Sequence, residues 1–378
     1  MLNLLSLLPS NNVVSAVFEK ISKTGAVAWA SLFTVSVKHN IGAIVWDDIQ
    51  QVLQDANTLG EGQFPKPLKL KWGLHVQQVE SGYARQRAVI AKLAKFFGEH
   101  GIKMMVLKGY GLSLNYPVPN HRPCGDVDIW LFEERVAADG AMQRVVAQQR
   151  ADELLKTELG VDIDNDKHHH TVFYIDGVMI ENHYDFLNIH AHRSSRLIEE
   201  RLKVLAQQDL EPIDVDGATI YLPSPDLHAL FMLRHSASHF AAERIVIRHL
   251  LDWRYFVEKY SARIDWNGLE GFARELNMHR FLHCLNAICI DKLGLPQDCV
   301  PAFERDPQLE ARVWSEILQP EFTAEQPRNA GYLKSWSFMF RRWWTNRWKH
   351  RITYPEGLVE TFFVQLWSHL LKPKSLKL

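Results

Sequence analysis

With 378 residues, 47% of them apolar and 23% charged, the chain has the balance of an ordinary globular protein and room for two or three domains. A formal net charge of −1 excludes a globally basic nucleic-acid binder, though not a local basic patch. Cys124, Cys284, Cys289 and Cys299 form no CxxC pair and read as free thiols of a reducing compartment. The opening MLNLLSLLPSNN has no positive n-region and no small-residue cleavage site, and no apolar run approaches the ~18 residues of a membrane span. A cytoplasmic protein without a transmembrane helix is expected.

Apolar side chains recur at helical spacing over 13–21, 26–37 and 44–53, and a turn-rich break follows at 60–67. A long helix is expected over 68–99, stopped by Gly101, with Val89, Ile90, Leu93 and Phe96 on its apolar face. Gln77, Gln78, Arg85 and Gln86 share that helix, and packing on a sheet is its simpler use. A further helix is expected over 133–155, then a polar loop over 162–167. Strands follow at 169–175 and 178–184 around Asp176-Gly177, and at 212–215 and 219–222 around Asp216-Gly217. Asp-Gly between apolar runs is a strong hairpin signal. From Ser224 the pattern is helical, and helices over 226–241, 244–260, 266–276 and 279–293 would form a bundle. The expected divisions are an N-terminal helical region (1–67), a catalytic domain (68–223), a helical bundle (224–300) and a C-terminal region (301–378).

Chemistry concentrates in 104–131, MMVLKGYGLSLNYPVPNHRPCGDVDIWL. The stretch reads as a buried strand, a glycine turn, a short helix, a proline-broken loop and a second strand. On that strand the two-residue period puts Asp126 and Asp128 on one face and Val127, Ile129 and Leu131 on the other. Adjacent carboxylates repel unless a cation lies between them, and oxygen ligands beside a phosphate-binding turn favour Mg²⁺ or Mn²⁺. Asp-x-Asp alone is common at strand ends. Here it follows a Lys-Gly turn and precedes a strand rich in acids and histidines, an order that points to metal-dependent phosphoryl transfer. Neither GxGxxG nor GxxxxGKS/T occurs, which removes Rossmann and P-loop sites.

Lys108-Gly109 at the strand end, Tyr116 before the proline-rich loop, Arg122 within it and then Asp126-x-Asp128 stand in an order that resembles the nucleotidyltransferase superfamily of the DNA polymerase β type. The stretch is more closely similar to a bacterial family of largely uncharacterised nucleotidyltransferases. The likeness runs on through IENHY and SPDLHALFMLRH, covering about residues 85–300. It implies an α+β fold, a small mixed sheet with flanking helices, wrapped by helical N- and C-terminal regions. It also implies transfer of an NMP from an NTP such as ATP to the hydroxyl of a protein, RNA or small molecule, with pyrophosphate leaving.

In such sites two Mg²⁺ or Mn²⁺ ions about 3.5–4 Å apart clamp the attacking and leaving oxygens. The resemblance assigns both ions to Asp126 and Asp128. It makes Glu181 the third carboxylate, in a Glu181-Asn-His183 version of an Asp-x-His pattern, where it would orient or deprotonate the acceptor. Asp185 is a weaker choice, and a solvent-facing rim is the plain alternative for Glu181. The Lys108-Gly109 turn departs from the Gly-Ser of the wider superfamily. Ser113 is the nearest hydroxyl, so Lys108 is expected to meet the triphosphate with helix N-terminal N–H groups, and Arg122 is a second phosphate contact. A nucleotide-binding module without turnover, or a toxin–antitoxin component, is the runner-up.

Other histidines invite a metal assignment. In His168-His169-His170, consecutive strand residues cannot all face one ion, so two at most would cooperate; His169 or His170 either reaches nucleotide or acceptor or forms a solvated edge. His235 and His239 lie one helical turn apart, but a His235–Asp252 hydrogen bond between helices is preferred to nucleotide contact, and zinc comes third. The segment 328–351 holds seven Lys or Arg, no acid and six Trp or Phe. Such a mixture suits packing with snorkelling arginines, or contact with RNA, a protein or a membrane surface.

Overall fold

The structure, a computed structural model, describes residues 26–54, 64–190, 192–242, 244–324 and 332–360. The helix expected over 13–21 lies outside them. Helices α1 (Ala26–Lys38) and α2 (Gly42–Gln54) lead into α3 (Lys66–Glu99). Trp29, Trp46, Phe64 and Trp72 interlock where these three meet, and the Trp72 indole N–H donates to the Gly42 carbonyl at 2.7 Å. Pro67 sits in the first turn of α3, where its missing N–H is no loss, and Gly101 at φ +71° ends the helical path.

The sheet contains β1 (Lys103–Val106), β2 (Val127–Val136), β3 (Met142–Val146), β4 (His170–Ile175), β5 (Val178–His183), β6 (Glu211–Val215) and β7 (Ala218–Leu222). Its order is β4-β5-β2-β1-β7-β6, with β3 pairing the far half of β2. The central strand β2 runs antiparallel to β1 and parallel to β5. This is the mixed sheet of the expected α+β class. Both Asp-Gly hairpins form with positive φ at each residue (Asp176 +50°, Gly177 +75°; Asp216 +53°, Gly217 +83°), the geometry that two-residue turns require.

One expected element is wrong in its first half. Instead of a helix over 133–155, β2 continues to Val136, a turn at Gly140 (φ +83°) reverses the chain into β3, and helix α5 (Gln148–Leu159) starts only afterwards. Ala, Glu and Gln favour helix locally, but pairing from Phe132–Val146 to Val136–Met142 wins. Helix α6 (Arg193–Leu205), which buries Ile198, Leu202 and Leu205, was not anticipated.

Both sheet faces are covered, which is why the strands read as almost unbroken apolar runs. Met104, Val106, Ile129, Leu131, Phe173 and Ile180 share a core with Ile90, Leu93 and Phe97 of α3 and Leu155 of α5. The opposite face, with Met105, Leu107, Trp130 and Phe132, belongs to the larger core of the helical bundle: α7 (Pro225–Ala242), α8 (Ile247–Tyr260), α9 (Trp266–Glu275), α10 (His279–Leu293) and α11 (Pro307–Leu318). Phe186 bridges the two layers, stacked on Trp130 at 5.5 Å and edge-on to Phe231 of α7 at 6.4 Å. Each large side chain so enclosed contributes about 1.5–3 kcal/mol. The short helix α4 (Tyr110–Ser113) is a single turn between β1 and the proline-rich loop.

Helix α12 (Tyr332–His350) docks one face of the basic-aromatic segment on the bundle. Asn346 donates to the Ala242 carbonyl at 3.3 Å, Trp348 lies edge-on to Phe240, and the Lys349 ammonium pairs with Glu316 at 2.5 Å, both fully enclosed. Phe340 and Trp344 face outward, 49% and 53% exposed. Among the described residues no helix is long and apolar enough to cross a membrane.

Candidate active site

The turn after β1 passes against the loop that carries Asp126. Gly109 holds φ +60°, and a Cβ there would stand 3.3 Å from the Asp126 carbonyl oxygen, so glycine is required. The Leu107 N–H donates to the Asp128 carbonyl at 3.0 Å and ties turn to strand. The loop between α4 and β2 is fixed from several sides. Arg122 forks onto Asp252 of α8 (Nε to Oδ1 2.7 Å, Nη2 to Oδ2 2.8 Å), and the Tyr116 hydroxyl donates to the same carboxylate at 2.7 Å. His121 lies between Asp47 (2.8 Å) and Glu80 (3.1 Å), and Gln86 donates to the Gly125 carbonyl at 2.6 Å.

Strand register then assembles the charged centre. Asp128 stands opposite Glu181, and His183 opposite His170, so all four project from the bundle-facing side of the sheet. The Asp128 side chain is fully buried. Its Oδ1 faces the Lys108 ammonium at 2.9 Å and the His183 Nε2 at 3.2 Å, while its Oδ2 has no hydrogen-bond partner among the described residues. Burial opposes the charge on Asp128, but Lys108 and His183 outweigh it and hold the carboxyl far below its ordinary value. Burial likewise opposes charge on His183, and the Asp128 hydrogen bond, with Glu181, raises it to about 9. His170 is pushed down to about 4 by burial and by the His183 charge, and His169 is lowered further for the same reasons.

Asp128, Glu181 and His183 offer ligand atoms within 4.8 Å of one another, and so do His169, His170 and His183. Asp126 belongs to neither group. It lines an adjoining cleft of about 300 Å³, with its carboxyl raised by burial and by Asp128. Lys108, Arg248 and His235 line the same cleft. A fully buried carboxylate with an oxygen unpartnered among the described residues, next to a second carboxylate and an imidazole, fits a divalent cation.

Residues 25–293 match the family described as Uncharacterised nucleotidyltransferase. The chain belongs to that family. No curated protein matches it. A crystal structure of an antigenic nucleotidyltransferase-like protein from Paracoccidioides brasiliensis is similar at 15% identity, over 55% of this chain and 93% of that one, with a TM-score of 0.34, and the assignment rests on the family match alone.

Within this nucleotidyltransferase-family chain the expected site residues separate. Asp128, Glu181, His183, Lys108, His169 and His170 come together, and Asp126 and Gly109 line their approach. Ser113 does not face the cleft: its buried hydroxyl donates to the Tyr110 carbonyl at 2.6 Å and lies 3.3 Å from the Tyr83 hydroxyl. Arg122 borders the cleft, but its fork is engaged by Asp252, so it anchors the loop instead of offering free donors. The preferred His235–Asp252 hydrogen bond is replaced by that ion pair, because the Arg122 fork and the Tyr116 hydroxyl already occupy the carboxylate. His235 packs by His239 and His249, at ring distances of 4.4 and 6.5 Å. Asp185 pairs with Lys203, away from the centre. Arg248 was missed. Its Nη1 donates to the Pro123 carbonyl at 3.0 Å and its Nε is unpartnered among the described residues; nothing in its sequence neighbourhood marks it.

Proposed function

We propose that the protein transfers an NMP from an NTP to an acceptor hydroxyl, releasing pyrophosphate. The observation that carries this is the buried Asp128 carboxylate, with one oxygen unpartnered among the described residues, beside Glu181 and paired with Lys108, which lines a cleft with other cationic side chains. Asp126, Asp128 and Glu181 are the residues that would hold Mg²⁺ or Mn²⁺, and a bound ion would neutralise phosphoryl oxygens and polarise the acceptor hydroxyl. Lys108 and Arg248 supply positive charge toward the triphosphate, as a compact ammonium and a planar donor fork respectively. Gly109, having no side chain, lets phosphate oxygens approach the backbone beside Asp126. Glu181, opposite Asp128 on the parallel neighbour of β2, would accept the proton of the attacking hydroxyl. Family membership supports the reaction class, and a cleft of this size suits one nucleotide with its acceptor group outside.

The test is to incubate the protein with each α-labelled NTP, Mg²⁺ or Mn²⁺ and a cell extract. Label should appear in one fraction of the extract. Asp126→Asn and Asp128→Asn should each lower transfer by about 10²–10³-fold, the loss of transition-state charge stabilisation. NTP binding with no transfer under any metal, and binding indifferent to both substitutions, would instead establish a nucleotide-binding module without turnover.

A further inference from the structure

Oxygen ligands alone do not account for the imidazoles at the end of β4 and β5. Three ring nitrogens, from His169, His170 and His183, converge within 4.8 Å of one another. His170 is 5% exposed, and neither of its ring nitrogens has a hydrogen-bond partner among the described residues; the Nδ1 of His169 is buried without one too. Leaving such groups unsatisfied costs about 1–3 kcal/mol each, so a fold that gathers several at one point is shaped for a ligand. Glu181 straddles the group, with one carboxylate oxygen 3.6 Å from the His170 Nε2 and the other 3.6 Å from the His183 Nε2.

We propose that His169, His170 and His183, with Glu181 as fourth donor, form a binding site for a single zinc-class divalent ion. Three imidazoles and one carboxylate are the donor set of a tetrahedral, borderline-soft metal, whereas Mg²⁺ prefers oxygen and keeps its waters. The local backbone explains how adjacent histidines can both contribute. His169 lies in the bend just before β4, outside the alternation of the strand, and its carbonyl accepts the N–H groups of Tyr184 and Asp185 at 3.1 and 3.2 Å. Its ring and that of His170 therefore lie 4.3 Å apart, where an extended pair would point to opposite faces. His183 Nδ1 faces the Asp185 carbonyl at 3.1 Å, which directs Nε2 into the cluster, the orientation that ligating histidines receive from a carbonyl behind them. In the ion-free protein the His183 Nε2 lies 3.2 Å from the Asp128 Oδ1, so binding of the ion releases the proton held between them.

This site does not depend on nucleotidyl transfer, although Glu181 and His183 are common to both. The test uses the full chain without a histidine tag, stripped with chelator. Titration should give one equivalent of bound Zn²⁺, at least about 100-fold tighter than Mg²⁺ at the same chain, and Co²⁺ should give the intense visible absorption of a tetrahedral site. His169→Gln and His170→Gln, each checked for an unchanged thermal midpoint, should weaken Zn²⁺ by about 100-fold, one ligand of four. Asp126→Asn should retain the Co²⁺ spectrum, so that failure of the transfer reaction and failure of this site are seen separately. Sub-stoichiometric Zn²⁺ binding by the wild type, or an octahedral Co²⁺ spectrum that neither histidine variant alters, overturns the proposal.

Discussion

Asp252→Ala probes how the approach to the site is held together. Arg122 and Asp252 are 3% and 5% exposed, and three bonds of 2.7, 2.7 and 2.8 Å converge on the carboxylate from Arg122 and Tyr116. Burial works against the charge on Asp252, and the Arg122 guanidinium outweighs it, so the carboxyl stays below its ordinary value. Removing it strands a buried guanidinium, which costs about 3–5 kcal/mol. That corresponds to roughly a hundredfold to several-thousandfold shift in the unfolding equilibrium. Replacing both partners by apolar residues of similar volume, Arg122→Met with Asp252→Leu, removes the charge and its stranded partner together and should recover most of the loss. Tyr116→Phe deletes one hydrogen bond and should cost only about 1 kcal/mol. Urea unfolding of the wild type, Arg122→Met, Asp252→Leu and the double variant, followed by the fluorescence of the twelve tryptophans, gives all four corners of the cycle. The expected coupling between the single changes is at least about 2 kcal/mol. A cost below about 1 kcal/mol for Asp252→Ala, or additive single changes, would refute the assignment of Arg122 as an anchor.

Gly109→Ala should destabilise by about 1–3 kcal/mol in thermal or urea unfolding, since the new Cβ meets the Asp126 carbonyl at a φ of +60°. Lys349→Ala leaves Glu316 buried without its cation and should cost about 3–5 kcal/mol in the same assay, whereas Trp344→Ala on the exposed face should change little. Stability should also fall on acidification. Burial lowers His39, His228 and His350 to about 4 from 6.5, so the unfolded chain takes up protons first; stability is full above about pH 6.5 and is lost as pH falls toward 4. For His228, enclosed on all sides, the loss is on the order of 3 kcal/mol, and a thermal midpoint unchanged between pH 7 and pH 4.5 would contradict it.

The parts of the fold written in short-range chemistry were legible in the sequence. Asp176-Gly177 and Asp216-Gly217 each fix a two-residue hairpin, and the 3.6-residue pattern located α3 and the helices from α7 to α10 within a few residues. The strand hairpin at 133–146 was not legible, because Ala, Glu and Gln favour helix until long-range pairing with β2 overrides them. The same division runs through the site. Alternation along β5 correctly put Glu181 and His183 on one face and sent Asn182 to the other, where it donates to Asp152 at 2.9 Å. Partners from distant helices could not be read. Asp252 lies 130 residues from Arg122, and no spacing rule announces that its carboxylate takes the arginine fork and leaves His235 aside.

The position of Lys108 links fold to chemistry most directly. A carboxylate as deeply buried as Asp128 needs compensating charge, and β2 lies between two covered sheet faces where water cannot supply it. Lys108, from the turn after β1, and His183, from β5, supply that charge to an acidic centre that is already desolvated. The Lys108 side chain is still about a fifth exposed and lines the cleft, so its stem can turn the ammonium from Asp128 toward an anion without any change in the sheet. On the proposed activity the residue therefore serves in two states, as counter-charge for Asp128 before substrate arrives and as a triphosphate contact afterwards. An arginine in its place would keep the charge, but its planar fork would be held by Asp128 in the way that Asp252 holds Arg122.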